Sequence, residues 1–208
     1  MNVYLVRHGE SLGNISQVHQ AQNCELSQEG QRQADKLAAR FSDLAVDLLI
    51  SSPITRAAQT AEKIAKVVNL PIHYDRRIEE IRRPSSVVGK KASDPQVAKL
   101  WATIRSHQHD PDYHHSDEEN FFDVKKRMQS FLQELPTRKE SNIVVVSHGH
   151  ALRIFLGLMI LGPEFSSHEF HAMIDHTSIS NTGLTICEYE NHGNWRILTL
   201  NDHAHLLE

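Results

Sequence analysis

The feature that most constrains the fold is a set of short runs rich in apolar, β-branched residues, each followed by polar residues and then by a helical stripe. Three such runs are Val3–Val6, Asp47–Ser51 and Ile143–Val146. Short runs of this kind are typical of strands buried on both faces of a sheet. Strands that alternate with helices favour a parallel sheet covered by helices. We therefore predict an α/β fold with three layers, α/β/α, around a mainly parallel central sheet.

The remaining elements follow from periodicity and from capping residues. Ser27 is placed to cap the first helix, and Pro71 to Tyr74 forms a short third strand. The segments 75–93 and 107–116 lack a period and are predicted loops. A final hairpin, Leu184–Tyr189 with Trp195–Leu200, turns at residues 191–194. The predicted helices are Gln28 to Phe41, a stripe from Ala57 to Val68, Val97 to Ile104, Phe121 to Leu135, and Ala151 to Leu161.

Composition limits the functional classes. A chain of 208 residues, 39% hydrophobic and 23% charged, fits one soluble domain over residues 1–208. The formal net charge of -4 argues against a nucleic-acid partner. The longest apolar stretch, Ile154 to Leu161, is too short to cross a membrane, and the N-terminus does not read as a signal peptide. Two distant cysteines, Cys24 and Cys187, fit a cytoplasmic protein with free thiols, and a homo-oligomer stays compatible with the sequence.

Polar clusters follow three of the predicted strands. Because ligands bind beyond the carboxyl ends of strands in open α/β sheets, these clusters are expected to share one crevice. The clusters run from Arg7 to Glu10, from Ser51 to Arg56 and from Ser147 to His150.

The residue types in these clusters indicate a phosphate site. Arg7 and Arg56 carry guanidinium groups, which match two phosphate oxygens at once. Gly149 opens a helix directly after its strand, and backbone N–H groups at a helix start add further donors. A neutral imidazole, such as that of His8, is a nucleophile at physiological pH. The leaving alkoxide then needs a proton from a carboxylic acid of raised pKa or from a histidine, and the candidate carboxyls are Glu10, Glu79 and Glu80.

Motifs along essentially the whole chain resemble, in kind and in order, those of the histidine phosphatase superfamily, which includes the phosphoglycerate mutases. The first is Arg7-His8-Gly9-Glu10-Ser11 with Asn14 six places after the histidine, and the third is Ser147-His148-Gly149. The second motif, the first helix and the final strand are similar as well, in the segments Ser51-Ser52-Pro53 with Arg56-Ala57 and Gln59-Thr60-Ala61, Leu26-Ser27 with Gly30 and Gln33-Ala34, and Asn181-Thr182.

The resemblance implies a role for each matching residue. His8 would become phosphohistidine, with Arg7, Arg56 and His148 around the phosphoryl oxygens. Asn14 and the backbone at Gly149 would add hydrogen bonds, and the register after the third strand favours Glu80 over Glu79 as the acid. No cofactor and no metal are implied, because the arginines supply the charge. Ser11 is balanced between a helix cap and a ligand contact.

The segment after Glu80 departs from the family pattern. It reads Arg82-Arg83-Pro84-Ser85-Ser86, where many members have a glycine and then an aromatic-acidic-glycine motif. Arg82 and Arg83 are candidates for contact with a second anionic group of the substrate, although solvated loop charges are the commoner explanation.

The sequence predicts a phosphomonoesterase acting on a small-molecule phosphomonoester, and leaves three other functions to be weighed. A mutase would return the phosphoryl group to its substrate, but the longer loops typical of such enzymes are not found at Ser16 to Asn23. A non-catalytic phosphate-binding module would use the same pocket. A zinc protein would use the histidines at 107, 109, 114 and 115, whose spacing lacks a helical pair with a clean third ligand.

Overall fold

The computed structural model describes residues 1–190 and 193–207 and contains a six-stranded sheet flanked by helices. The strand order is β3-β2-β4-β1-β5-β6. The strands are β1 Asn2–Arg7, β2 Leu48–Ser51, β3 Ile72–Tyr74, β4 Asn142–Ser147, β5 Leu184–Tyr189 and β6 Trp195–Asp202.

Four strands of the sheet run parallel. β1 pairs with β4, β4 with β2 and β2 with β3 in parallel, whereas β5 pairs antiparallel with β1 and with β6. The register aligns Arg7 with Ser147 and Ser51 with Val146. Three strand ends that lie far apart in sequence therefore meet at one edge, and the predicted mainly parallel sheet is confirmed.

Helices cover both faces of the sheet. They are α1 Leu12–Ser16, α2 Gln28–Ala39, α3 Thr55–Val68, α4 Pro95–Ser106, α5 Phe121–Glu134, α6 Gly149–Leu161 and α7 Ser167–His176. Ser27 caps α2 as predicted, since its side chain accepts a hydrogen bond from the backbone N–H of Gly30.

The two faces of β1 enter two separate cores. Val3 and Leu5 pack with α5, α6 and α7, whereas Tyr4 and Val6 pack with α2 and α3. Successive side chains of a strand point to opposite faces, so an apolar strand between two helical layers is buried on both. The predicted three-layer α/β/α arrangement is confirmed.

The differences from the predicted elements lie in short or mixed segments. The predicted loop 75–93 contains two short 3-10 turns, at Arg76–Ile78 and Ser85–Val87. The helices α1 and α7 were not predicted, because α1 has five residues and α7 mixes its apolar positions with histidines. Residues 191 and 192 of the predicted hairpin turn lie outside the described residues. No helix in the described ranges has the length and apolarity to cross a membrane.

Candidate active site

A cavity of about 280 Å³ lies at the carboxyl ends of β1, β2 and β4. Most of the residues predicted from the sequence line its wall. They are Arg7, His8, Asn14, Arg56, Glu80, Arg82, Arg83 and Gly149. The shared crevice expected from the three strand ends is therefore present, and it brings together groups from distant parts of the chain.

His8 is held with one ring nitrogen facing a guanidinium group. Its Nδ1 lies 2.7 Å from the carbonyl oxygen of Gly9, so Nδ1 carries the proton and donates it there. Its Nε2 lies 3.1 Å from the Nε–H of Arg56 and accepts that hydrogen bond with its lone pair. Burial lowers the pKa of His8 well below its usual value, and the positive charge of Arg56 adds to the effect. The imidazole is therefore neutral at physiological pH.

The backbone of His8 is held by hydrogen bonds from the segment that precedes β5. The side-chain amide of Asn181 donates to the carbonyl oxygen of His8 at 3.0 Å. The backbone N–H of Thr182 donates to the carbonyl oxygen of Arg7 at 3.0 Å. Thr182 has a φ of 54°, in the left-handed region that a threonine rarely adopts. This loop therefore places two donors against the strand end that carries His8.

Two guanidinium groups reach the cavity from different elements. Arg56 lies in the first turn of α3 and is 4% exposed, with its Nη1 donating to the carbonyl of Ala21 at 3.3 Å. Arg7 ends β1 and donates through Nη1 to the carbonyl of Ile179. The Nε of Arg7 is buried without a hydrogen-bond partner among the described residues. A buried, unsatisfied donor is costly, and a phosphoryl oxygen in the cavity would satisfy it.

His148 is fully buried beside His8. The two ring centroids are 5.2 Å apart, and Nε2 of His148 lies 2.8 Å from the hydroxyl oxygen of Ser52. Its Nδ1 is a second buried nitrogen with no partner within the described part of the chain. Burial lowers the pKa of His148 well below its usual value, and Arg56 lowers it further. A bound dianion would favour the charged form of this imidazole.

Glu80, rather than Glu79, reaches the cavity. Its carboxylate accepts hydrogen bonds from the backbone N–H groups of Ile81 and Ala151, each at 3.0 Å, and from that of His150 at 3.2 Å. His150 and Ala151 lie in the first turn of α6, so the carboxylate sits at the helix N-terminus. The start of α6, which the sequence predicts to hold phosphate, therefore binds this carboxylate through two of its N–H groups. Gly149, in the same turn, lines the cavity.

The expectation that the acid has a raised pKa is wrong for Glu80 in the unliganded chain. Burial alone would raise the pKa of Glu80, but the neighbouring side chains of His150, His148 and Arg83 lower it well below its usual value. Burial does raise the pKa of Glu79, which does not line the cavity. Glu80 is therefore ionised when no phosphoryl group is present.

The structure places Ser11 at a helix cap. Its side chain is fully buried, accepts a hydrogen bond from the backbone N–H of Asn14 at 3.2 Å, and contacts the side-chain oxygen of Gln20 at 2.8 Å. Asn14 completes the capping box, because its Oδ1 accepts from the backbone N–H of Ser11. Of the two, Asn14 lines the cavity and Ser11 does not. Of the two alternatives for Ser11, the helix cap is the one that the structure contains.

The side chains of Arg82 and Arg83 have different neighbours. Arg82 is exposed, and its Nε donates to the carbonyl oxygen of Asp117 at 2.7 Å. Arg83 is half-buried, lies 4.9 Å above the ring of Trp101, and contacts Nε2 of His150 at 3.0 Å. Arg83 is consequently held at the cavity wall by two neighbours, whereas Arg82 mainly ties its loop to the next one.

Several cavity residues escaped sequence reasoning. Arg153 lines the cavity and donates to the carbonyl of Gly149 at 3.1 Å, one helical turn before it. The spacing of four residues from Gly149 would have placed it on the same helix face. His150, which belongs to the third polar cluster, lines the cavity as expected, and His19 lines it too, although only the folded chain brings His19 there. In the described ranges, no three side chains of the His, Cys, Asp or Glu type are grouped to hold a metal ion.

This fold and this site define a class of α/β enzymes that includes phosphatases and mutases. The chain belongs to branch 1 of the histidine phosphatase superfamily, whose family model matches residues 3–203.

Three similar proteins illustrate the range of the family. A protein of Proteus mirabilis named probable phosphoglycerate mutase GpmB is 28% identical, covering 100% of this chain and 96% of its own length. The structure of Bacillus stearothermophilus YhfR has a TM-score of 0.83 at 25% identity, covering 99% and 98% of the two chains. That of Entamoeba histolytica phosphoserine phosphatase in complex with 3-phosphoglyceric acid has a TM-score of 0.74 at 25% identity, with the same coverage.

Proposed function

We propose that this protein hydrolyses a small phosphomonoester through a phosphohistidine on His8, with Glu80 as general acid and base. The observation that carries the proposal is the held state of His8. Nδ1 donates its proton to the carbonyl oxygen of Gly9, so the nucleophilic lone pair is on Nε2, where it accepts the hydrogen bond from Nε of Arg56 until that guanidinium turns to the phosphoryl oxygens. A neutral imidazole that is fixed in position next to a guanidinium group is suited to nucleophilic attack on phosphorus.

In the first step, Nε2 of His8 forms a bond to phosphorus and the bond to the ester oxygen breaks. Arg7, Arg56 and His148 neutralise the charge of the three equatorial oxygens, which a loose phosphoryl transition state requires. Among the described residues, two buried nitrogens of this site have no hydrogen-bond partner, Nε of Arg7 and Nδ1 of His148, and we assign them as donors to those oxygens. The leaving oxygen takes its proton from Glu80.

The proton on Glu80 is acquired with the substrate. In the unliganded chain the carboxylate is ionised. A phosphoryl group brings negative charge close to Glu80, which raises the pKa of the carboxyl, and a monoanionic ester also brings a proton of its own. In the second step, water attacks the phosphohistidine, the bond between phosphorus and nitrogen breaks, and Glu80 accepts the proton of the water.

The test is a phosphate-release assay over a panel containing p-nitrophenyl phosphate, phosphoserine, 3-phosphoglycerate and sugar phosphates. His8→Asn is expected to lower kcat/KM by at least about a thousandfold, because the nucleophile is lost. His203→Asn, at an exposed histidine, is the matched control and should leave the rate unchanged. Undiminished hydrolysis by His8→Asn would refute the mechanism, and phosphate binding without turnover in the parent chain would favour a binding module.

A mutase is the second candidate, favoured by the name of the Proteus mirabilis relative. With 3-phosphoglycerate as substrate, a hydrolase releases inorganic phosphate and glycerate. A mutase forms 2-phosphoglycerate without net release of phosphate. Phosphorus NMR of one reaction mixture distinguishes the two, and isomer formation without free phosphate would overturn the hydrolase proposal.

A further inference from the structure

A second cavity, of about 220 Å³, begins where the phosphate cavity ends. The two cavities share the wall formed by Ile81, Arg82, Arg83 and His150. Beyond that wall the second cavity is enclosed by α4, the loop of residues 107–120, the start of α5, and α7, and the loop contributes mostly polar side chains. Its apolar lining consists of Trp101, Ile104, Tyr113, Phe121, Phe170 and Ile174. We call it the apolar cavity.

The apolar cavity lies on the leaving-group side of the phosphate site, an argument that rests on the proposed function. Attack by His8 requires the leaving oxygen on the opposite side of phosphorus, where Glu80 protonates it. Ile81, the next residue in the chain, already belongs to the apolar cavity. The ring of His150 links the two, with Nδ1 at 3.6 Å from the Glu80 carboxylate and its centroid 6.2 Å from that of Phe170.

The walls of the apolar cavity suit a flat ring. Phe121 and Phe170 are stacked with centroids 5.4 Å apart. The guanidinium of Arg83 covers the indole of Trp101 at 4.9 Å, which adds a planar cationic surface at the boundary. The Oε1 atom of Gln108, another lining residue, is buried without a hydrogen-bond partner among the described residues. A donor on the ligand would satisfy that oxygen.

We infer that the apolar cavity is the subsite for the leaving group, and that the substrate is a phosphomonoester whose alcohol carries a flat, mostly apolar ring system with a hydrogen-bond donor. The size agrees, since an apolar cavity of about 150 Å³ accommodates one benzene ring. A cavity of about 220 Å³ therefore takes a flat ring system somewhat larger than one benzene ring.

The test compares 2-naphthyl phosphate with glycerol 2-phosphate in the parent chain and in wall variants. Ile174→Gln and Ile104→Gln change the walls from two different helices, α7 and α4. Each variant is expected to lower kcat/KM for the naphthyl ester about tenfold, because the ring loses an apolar wall, and to change that for the glycerol ester less than about twofold. Ile160→Gln, at a position 60% exposed on α6, is the matched control.

A binding measurement decides the inference without turnover. The parent chain is expected to bind naphthylmethylphosphonate at least about tenfold more tightly than methylphosphonate in a calorimetric titration, and Ile174→Gln should remove most of that preference. Equal binding of the two phosphonates, or equal losses on both esters, would overturn the inference. Absence of hydrolysis with the naphthyl preference intact would overturn the proposed function alone and would support the subsite.

Discussion

The two ends of the proposed site, which we call the phosphate end and the leaving-group end after their proposed occupants, are built differently. At the phosphate end, Arg7, His8 and His148 lie at the ends of adjacent strands of the sheet and are positioned by backbone hydrogen bonds. At the leaving-group end, residues 76–120 form a segment with short 3-10 turns and one helix. That segment is held by loop contacts such as the hydrogen bond from the backbone N–H of Arg82 to Glu119 at 2.9 Å.

The contrast separates chemistry from selectivity. Side chains at the ends of parallel strands cannot move without disturbing the hydrogen bonds between several strands. The phosphate end is therefore preorganised to bind one arrangement of negative charge, that of a phosphoryl group. A segment tied mainly by side chains to backbone atoms can change its sequence without disturbing the sheet. We therefore expect substitutions at the phosphate end to lower kcat/KM equally for all esters. Substitutions at the leaving-group end should lower it by an amount that depends on the alcohol of the substrate.

Among substitutions whose effect on kcat/KM should depend on the alcohol of the substrate, we expect the largest loss for Glu80→Gln. For an alkyl phosphate, kcat/KM should fall by about 10²–10⁴, because no acid protonates the poor leaving group. For p-nitrophenyl phosphate the loss should be much smaller, since its leaving oxygen is stable as an anion. Paired kinetics with both esters measure the difference, with Glu79→Gln as the adjacent control. Equal losses on the two esters would remove Glu80 from the acid role.

Arg56→Lys should act equally on every substrate. The lysine keeps the charge but loses the forked donors and the hydrogen bond to Nε2 of His8, and we expect a loss in kcat/KM of about 10²–10³. The assay uses the same ester pair, and Arg32→Lys at an exposed pair with Glu29 is the control. A loss confined to one ester would contradict the division between the two ends.

His150 lies at the boundary, and its removal should move a pH profile. In the parent chain kcat/KM should decline as pH rises, because the acid form of Glu80, whose pKa is lowered, becomes scarcer. His150→Phe keeps a ring and the backbone hydrogen bond to Glu80, but it removes the imidazole whose Nδ1 lies 3.6 Å from the carboxylate and which lowers the pKa of Glu80. The declining limb should therefore move to higher pH. A profile of kcat/KM with unchanged limbs would show that His150 does not tune the carboxyl.

The smallest effect is expected at Ser11. Ser11→Ala removes the cap of α1 and should lower the free energy of unfolding by about 1 kcal/mol. It should change kcat/KM for either ester by less than about twofold. Urea denaturation gives the stability, with Ser16→Ala as the exposed control on the same helix. A large kinetic loss with unchanged stability would restore the ligand contact.

The phosphate end was predictable because its position follows from the sheet. Each of its polar clusters comes directly after an apolar run, so a parallel arrangement alone brings Arg7, His8 and His148 together. The same logic identified Arg56 at the start of the helix after β2. Two apolar cores and the cap at Ser27 likewise follow from local periodicity.

The leaving-group end was not predictable in the same way. Helix α7 has apolar positions at Phe170, Met173 and Ile174, but histidines between them obscure the stripe. The low pKa of Glu80 depends largely on His150 and His148, which lie about seventy residues further along the chain, and no local pattern records that contact. His19 and Trp101 meet through a hydrogen bond of 3.1 Å for the same non-local reason.

The order of the strands also has a consequence for folding. β1, which ends in His8, pairs in the sheet with β4 and β5, both from the second half of the chain. Pairing between strands so distant in sequence is slow relative to local structure. The strand that carries the nucleophile is made first and must wait for residues 142–147 before it has a parallel neighbour. During synthesis or refolding, catalytic activity should therefore appear late and all at once, together with closure of the sheet.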